Sequence, residues 1–325
     1  ISRGLVGSEM CIRDRTILGS GSEQELVFDI EVKNIGEKYS GKDVVQLYVE
    51  SPQGQLGKPS RALTGFAKTP TLDPNETASV KVSFLLSSLA SFDDSGKTGH
   101  PNSYVLEAGE YQFYLGGSVR QARLVDESIK VDELIVVEQL TEALAPVTAF
   151  KRLVPKEIGQ NGVYSCDYES VPLRSVDLSE RILSELPASI PFSDDRGIKL
   201  LDVKQGQADI DEFISQMTVK QLATIVRGEG MCSPKVTPGT AAAFGSVSPS
   251  LFDLGIPIVA AADGPSGIRM DSGHKASQVP IGTLLGCTWN TELNEQLFHL
   301  VGKEMQANHI DTLLGLGINL SLIHI

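Results

Sequence analysis

Between residues 25 and 115, short runs of alternating apolar and polar side chains limit most strongly what this chain can fold into. A strand has a period of two, so each run predicts a strand with one buried face. Turn-forming residues separate the runs, as at 72–75, and no helical period interrupts them. Strands without helices bury their apolar faces against another sheet, so residues 16–145 are predicted to form a β-sandwich. The apolar members of the runs are Leu26, Phe28, Ile30 and Val32; Val45, Leu47 and Val49; Ala78, Val80, Val82 and Phe84; and Tyr111, Phe113 and Leu115.

The composition restricts the partners of the chain. Its 325 residues carry a formal charge of −13, whereas nucleic acids and anionic membranes attract a positive surface. We therefore expect neither as a partner, and a neutral ligand such as a sugar fits better. No apolar run is long enough to span a bilayer.

The cysteines are widely scattered and form no CxxC pair, and no histidine lies at ligand spacing from them. This pattern predicts neither a metal site nor a disulfide framework, and nothing in the sequence calls for a cofactor. Reduced thiols fit a bacterial cytoplasm, where we expect the protein. The sequence leaves a homo-oligomer open. The cysteines are Cys11, Cys166, Cys232 and Cys287.

In the second half, the segment 255–269 (GIPIVAAADGPSGIR) places an apolar run directly before a loop rich in glycine and proline. It predicts a buried strand that ends where Asp263 begins an exposed turn. Ligands of α/β folds are held at the carboxyl ends of strands, and Arg269 can return its guanidinium to the same pocket. An Asp-Gly turn also forms when the aspartate accepts an Asx hydrogen bond. Spacing alone therefore leaves open whether Asp263 binds a ligand or caps its turn.

Other segments of the second half have a helical or a strand pattern. Residues 209–217 and 218–226 are predicted to be helical, and Asn290 is predicted to cap a longer helix. A strand follows at 312–314, so strand, loop, helix and strand make one βα unit of a barrel or a wound sheet. The proline-rich segment 146–207 is predicted to be an extended connection, with one helix that begins at Asp177.

Several polar and aromatic residues have both a functional and a structural interpretation. Glu229, in a long loop, is either a polar contact for a ligand or a solvated carboxylate. Tyr39, Tyr48 and Tyr104 either stack on sugars or pack on the faces of the sheets. Asn75 matches a glycosylation acceptor, but an asparagine in a turn explains the same residues, and we favour the turn.

Two groups of motifs resemble one known family. LGIP at 254–257, ADGPSGIR at 262–269, PIGT at 280–283, TWN at 288–290 and DTLLGLGINL at 311–320 resemble, in order, the start of the catalytic barrel of glycoside hydrolase family 3. GKDVVQLYV at 41–49, RALTGFAK at 61–68, LDPNE at 72–76 and EAGEYQFYLG at 107–116 resemble the fibronectin type III-like domain that accompanies these enzymes. The resemblance implies a multidomain β plus α/β protein, in which a fibronectin type III-like β-sandwich precedes an incomplete (β/α)8-type barrel over residues 208–320.

The resemblance also implies a function. Family 3 enzymes hydrolyse glycosides with retention, using a nucleophilic carboxylate and a second acid. Their Asp-Gly-Pro aspartate contacts hydroxyls of the non-reducing sugar, a role that carries over to Asp263, and the arginine that ends the motif carries over to Arg269. No residue here matches the motif of the nucleophile, and none is assigned as the acid/base. Asp271, Glu292, Glu304 and Asp311 are carboxylates in this half, but none of them matches that motif, and the two glutamates are expected on helix surfaces.

We therefore expect a fragment of a retaining, exo-acting, β-glucosidase-like hydrolase that acts on β-glucosides or related oligosaccharides and is inactive by itself. A noncatalytic carbohydrate-binding or scaffolding protein is the alternative. The sandwich precedes the barrel motifs, as in the permuted subgroup of the family. Residues 1–15 and 321–325 resemble translated adapter sequence, so we expect them to form no fold element and the gene product to be longer.

Overall fold

In a computed structural model of the chain, residues 8–159, 163–315 and 317 are described. The chain divides into two compact units, Ile1–Glu185 and Leu186–Ile325. The segment 146–207, predicted as a connection, is therefore divided between the two units. The terminal residues 1–7 and 321–325, which we expected to form no fold element, lie outside the described residues.

The first unit begins with strands that form three antiparallel sheets. The sheets have the strand orders first–second–fifth, fourth–third–eighth–ninth and tenth–seventh–sixth. In chain order the strands are β1 (Ser8–Leu18), β2 (Glu25–Asn34), β3 (Val44–Glu50), β4 (Ala62–Lys68), β5 (Thr77–Leu85), β6 (Ser91–Asp93), β7 (Ser103–Leu106), β8 (Gly109–Gly116), β9 (Arg123–Val131) and β10 (Ile135–Gln139).

The core of this unit lies between the β1–β2–β5 sheet and the β4–β3–β8–β9 sheet. The apolar members of the alternating runs are buried in it, except Ala78 and Val80, which are partly buried and pack against it; Phe28 and Phe113 are fully excluded from solvent. Phe28 on one sheet meets Phe113 on the other edge-on, with ring centroids 5.1 Å apart, and stacks beside Phe84 at 5.9 Å. Aromatic pairs at these distances favour a fixed arrangement of the rings. The β-sandwich predicted from alternation is confirmed.

Tyr111 forms a tyrosine corner, a feature of immunoglobulin-like sandwiches in which a buried tyrosine bonds to backbone a few residues upstream. Its side chain is fully buried in β8, and its hydroxyl donates a hydrogen bond of 3.0 Å to the carbonyl of Glu107. Burial, and to a lesser extent the charge of Glu107, raises the pKa of Tyr111 to about 12. The hydroxyl therefore stays protonated, and so able to donate, well beyond neutral pH.

Replacing Tyr111 with phenylalanine is expected to lower the free energy of unfolding by about 1 kcal/mol at pH 8, because the carbonyl of Glu107 loses its donor. The tyrosine contributes a pH dependence of a definite sign. Its pKa is higher in the folded than in the unfolded chain, so its contribution is complete below pH 10 and is lost as the pH rises towards 12. Urea titrations between pH 8 and 11.5 measure both effects. An equally steep alkaline loss of stability in Tyr111→Phe would contradict this assignment.

Residues 8–15 differ from our expectation that the amino-terminal residues form no fold element. They belong to β1, which pairs antiparallel with β2 from Ser8 opposite Asn34 to Leu18 opposite Glu25. Met10 and Ile12 alternate with polar residues and pack against the sandwich core. The strand therefore obeys the same period of two as its neighbours.

Residues 146–185 are more ordered than an extended connection. Strands β11 (Lys151–Ile158) and β12 (Tyr164–Ser170) pair as an antiparallel hairpin. Arg152 fixes it by donating to both carboxylate oxygens of Asp94, at 2.5 and 2.9 Å, and to Glu169 at 2.8 Å. Ion pairs rather than apolar burial hold the hairpin, so its sequence has no apolar period. The predicted helix follows as α1 (Leu178–Ser184), capped by the Asp177 side chain.

The second unit contains short helices and a three-stranded sheet. The predicted caps Thr218 and Asn290 accept hydrogen bonds from the first turns of their helices. In chain order the elements are α2 (Leu200–Lys204), α3 (Ile210–Ser215), α4 (Val219–Arg227), β13 (Ala242–Gly245), α5 (Pro249–Phe252), β14 (Ile258–Gly264), α6 (Gly282–Gly286), α7 (Thr291–Ala307) and β15 (Thr312–Gly315).

Strand β14 lies at the centre of this sheet. It pairs with β15 in parallel and with β13 antiparallel, and α7 connects the two parallel strands. Leu297 and Val301 of α7 pack against Ala262 and Ile268, whereas Leu300 is 61% exposed. The predicted βα unit is confirmed. The described residues hold one parallel strand pair, so the (β/α)8-type barrel stays a prediction.

Candidate functional site

Asp263 lies at the carboxyl end of β14, one residue before the strand ends. The three alanines before it are buried, whereas its own side chain is 44% exposed. In the parallel register Asp263 stands opposite Leu314, so the carboxyl ends of β14 and β15 finish side by side. The buried part of the strand therefore ends at Asp263, whose exposed carboxylate is able to bind a ligand.

The glycines after Asp263 allow the chain to pack closely on itself. Gly267 has a φ of +101°, and a Cβ there would lie 2.2 Å from the carbonyl oxygen of Ser277. A Cβ on Gly264 would lie 2.4 Å from the side chain of Leu313. The turn is closed by a hydrogen bond of 2.7 Å from the Arg269 amide to the Asp263 carbonyl. The groups that approach these glycines in the structure belong to the chain itself: the Ser277 carbonyl at Gly267 and the Leu313 side chain at Gly264.

The turn brings the two predicted site residues together. One terminal nitrogen of Arg269, Nη1, lies 3.7 Å from Oδ2 of Asp263, and Nε lies 3.0 Å from Oδ1 of Asp271. Within the described ranges, the Asp263 carboxylate accepts no hydrogen bond from backbone N–H groups, so the Asx bond expected of a turn cap is not formed there. The carboxylate and the guanidinium both face solvent, at 44% and 59% exposure.

Glu229 organises the long loop that precedes β13. Its carboxylate pairs with the ammonium of Lys235 and accepts a hydrogen bond of 2.6 Å from the Ser233 hydroxyl. These two contacts, with Lys235 the larger, lower the pKa of Glu229. Lys235 also donates to the carbonyl of Val247 at 2.6 Å. Glu229 is therefore engaged within its own loop, which differs from the solvated carboxylate of the sequence interpretation.

Three further carboxylates of this unit make hydrogen bonds within the chain. Glu292 lies on the surface of α7 and accepts a hydrogen bond from Gln296, as expected for a helix-surface residue. Glu304 accepts the backbone N–H of Ser277 at 2.9 Å and so holds the loop after the turn. The Asp311 carboxylate accepts a hydrogen bond of 2.8 Å from the Ala260 N–H, and the Asp311 N–H donates one of 3.0 Å to the Ala260 carbonyl. The helix-surface expectation for Glu304 did not include its contact with Ser277, and sequence reasoning assigned no role to Asp311.

The surface aromatics and the turn asparagine behave mostly as packing and turn residues. Tyr48 is buried, and Tyr104 lies against Phe92 with ring centroids 5.2 Å apart. Asn75 has a φ of +64°, as an asparagine in a tight turn adopts. Tyr39 is 53% exposed.

The described residues include neither a cluster suited to a metal ion nor a helix suited to a membrane. No group of three or more histidine, cysteine or acidic side chains there is arranged to hold a metal ion. No helix in that part of the chain is both long enough and apolar enough to cross a membrane.

Comparisons with known proteins agree with the motifs. Residues 43–119 match the family model of the fibronectin type III-like domain. A β-glucosidase of Ruminococcus albus is 48% identical over 93% of this chain and 31% of its own length, and β-glucosidase A of Butyrivibrio fibrisolvens is 32% identical over 91% and 36%. The structure of a β-glucosidase from Paenibacillus barengoltzii matches with a TM-score of 0.91 and 50% identity, over 95% of this chain and 34% of that one.

The sandwich and the similarity over nearly the whole chain identify the class: a β-glucosidase-like chain with a fibronectin type III-like domain. The identification with glycoside hydrolase family 3, made from the motifs, is confirmed. The chain spans about a third of the length of the curated relatives, 31% and 36%.

Proposed function

We propose that this chain is part of a retaining, exo-acting β-glucosidase that hydrolyses O-glycosidic bonds at the non-reducing end of β-glucosides or related oligosaccharides. The observation that carries the proposal is the pair Asp263 and Arg269, exposed together where β14 and β15 end. The similarity to β-glucosidases supports it. A net charge of −13 is compatible with an uncharged sugar as substrate.

In the proposed mechanism this chain binds and orients the terminal sugar. The Asp263 carboxylate accepts hydrogen bonds from two neighbouring hydroxyls, and the Arg269 guanidinium donates to one of them. These contacts hold the ring in place and strengthen as it flattens towards the oxocarbenium-like transition state, so they lower the barrier as well as bind the substrate. The nucleophile and the acid/base are not assigned to residues of this chain, and the family resemblance implies that the nucleophile lies later in the barrel.

A noncatalytic carbohydrate-binding protein remains the second hypothesis, since the β-sandwich with the exposed Tyr39 forms a unit of its own. It differs from the first in one measurable way, because it predicts sugar binding without turnover by any longer form of the protein.

The chain of 325 residues is expected to release no detectable p-nitrophenol from p-nitrophenyl β-glucoside, because no residue matches the family's nucleophile. The full-length product of the gene is expected to hydrolyse it with retention, which NMR of the first-formed anomer measures. Turnover by the 325-residue chain itself would contradict the assignment of the nucleophile. A full-length product that binds glucosides but never hydrolyses them would favour the noncatalytic hypothesis.

A further inference from the structure

We infer that Asp271 is a positioning residue that holds the Arg269 guanidinium just beyond hydrogen-bond distance of Asp263, so that the Asp263 carboxylate is free to accept sugar hydroxyls. The inference rests on the proposed function, since it assigns the hydroxyls of a terminal sugar to Asp263. Asp271 belongs to no motif of the family resemblance and follows Arg269 by two residues.

The contacts of Arg269 are unequal. Its Nε donates to Oδ1 of Asp271 at 3.0 Å, a charge-assisted hydrogen bond, whereas its Nη1 lies 3.7 Å from Oδ2 of Asp263. A guanidinium is a rigid plane with its five N–H groups in fixed directions. A bond at Nε therefore fixes the plane and leaves the N–H groups of the two terminal nitrogens for a ligand.

The backbone of Asp271 is fixed by the loop that contains Gly239. Its N–H donates to the carbonyl of Gly239 at 3.0 Å. Gly239 has a φ of +88°, and a Cβ there would lie 2.4 Å from the amide nitrogen of Ser272 and 2.7 Å from that of Asp271.

The loop that carries Gly239 is anchored at two places. The Ala241 N–H donates to the carbonyl of Ala261 in β14 at 2.9 Å. The Thr237 hydroxyl donates to the carbonyl of Asn308, after α7, at 2.6 Å.

The charges explain why a second carboxylate is useful. A lone arginine beside a lone aspartate closes into a bidentate pair, and that pair occupies the oxygens that a sugar would need. Here one guanidinium is shared by two carboxylates, and the shorter contact goes to Asp271. The Asp263 carboxylate keeps the favourable charge of Arg269 nearby without losing its lone pairs to it.

Kinetics of the full-length protein on p-nitrophenyl β-glucoside test the inference. Asp271→Ala is expected to raise KM about tenfold with a smaller change in kcat, because Arg269 closes onto Asp263 in the free enzyme and must be displaced by the sugar. Asp271→Asn keeps an acceptor for Nε and is expected to stay within about threefold of the wild type. Glu292→Ala, on the surface of α7, is the matched control and should leave KM unchanged.

A double-mutant cycle separates positioning from a general structural effect. If Asp271 acts through Arg269, the variant Asp271→Ala/Arg269→Ala behaves like Arg269→Ala alone. Effects that add in the double variant, or an unchanged KM in Asp271→Ala, overturn the inference. A fall in Tm that accounts for the whole loss, with Asp271→Asn equally impaired, overturns it as well.

A second measurement needs no turnover and uses the 325-residue chain. The Arg269 Nε–H, observed by NMR, is expected to exchange with solvent about tenfold faster in Asp271→Ala than in the wild type or in Asp271→Asn, because its acceptor is lost. If the full-length protein hydrolyses no glycoside, the proposed function fails while this measurement still decides whether Asp271 holds Arg269. Equal exchange rates in all three chains would overturn the positioning role.

Discussion

Asp263→Ala is expected to lower kcat/KM of the full-length protein for an aryl β-glucoside by about two orders of magnitude or more. A carboxylate that accepts hydrogen bonds from two sugar hydroxyls makes charge-assisted contacts, each worth about 1.5–3 kcal/mol. Such contacts draw the sugar ring towards its transition-state shape, so kcat should fall as well as KM rise. Steady-state kinetics with Tm values measured alongside test this.

Asp263→Asn distinguishes sugar binding from turn capping. Asparagine keeps the shape but loses the charge, so its kcat/KM should lie between those of the wild type and the alanine variant. An asparagine makes the same Asx bond as an aspartate, so a simple turn cap would tolerate it with little change. Wild-type kcat/KM in both variants would exclude a sugar-binding role for Asp263.

Lys58→Met is expected to lower the free energy of unfolding of the first unit by about 3–5 kcal/mol. Lys58 and Glu107 form an ion pair in which both side chains are about 95% buried, with 4% and 5% of their surfaces exposed. The lysine also donates to the Pro52 carbonyl at 2.6 Å, and the carboxylate also accepts the Gln55 N–H at 2.6 Å. Removing the ammonium leaves a buried carboxylate with one donor fewer, and this uncompensated charge is the main cost. Urea unfolding of the chain, followed by near-ultraviolet circular dichroism, measures the loss.

The surface pair Lys130 and Asp132 supplies the control, because its side chains are 78% and 76% exposed. Lys130→Met should leave unfolding almost unchanged, since solvent screens a pair of this kind. In Lys58→Met/Glu107→Met no charge stays buried, so the double variant should lose less stability than the two single variants added together. Strict additivity would show that the two side chains do not act as a pair.

Alternation predicted the strands whose two faces meet different environments. In β2, Leu26, Phe28 and Ile30 are fully buried, whereas the residues between them are half-exposed. This difference in burial between the two faces produces the alternation of apolar and polar residues in the sequence. The hairpin of β11 and β12 lacks the contrast. Its neighbouring residues Leu153 and Tyr168 are 61% and 62% exposed, and charged side chains hold it in place. A sequence pattern based on burial therefore missed it.

The candidate site was predictable only where it is local in sequence. The turn from Asp263 to Arg269 is short, and its glycines and proline predict it from the sequence. The position of Asp271 depends on Gly239, which lies 32 residues earlier and reaches it through tertiary structure. Strand β13 was missed because four residues, three of them alanine or glycine, carry too little pattern to distinguish a strand from a loop.

The two hydrogen bonds between Asp311 and Ala260 fix the register of the parallel strands β14 and β15. Both backbone groups of Ala260 are bonded to this one residue, immediately before β15 begins. Because side chains alternate across a sheet, a slip of one residue would exchange the two faces of β15 and turn Leu313 away from the core it packs in. The Asp311 carboxylate excludes that slip, since a shifted strand would leave Ala260 N–H without its acceptor. Asp311 thereby specifies that β14 and β15 end at the same level, and so determines the depth at which a sugar would meet Asp263.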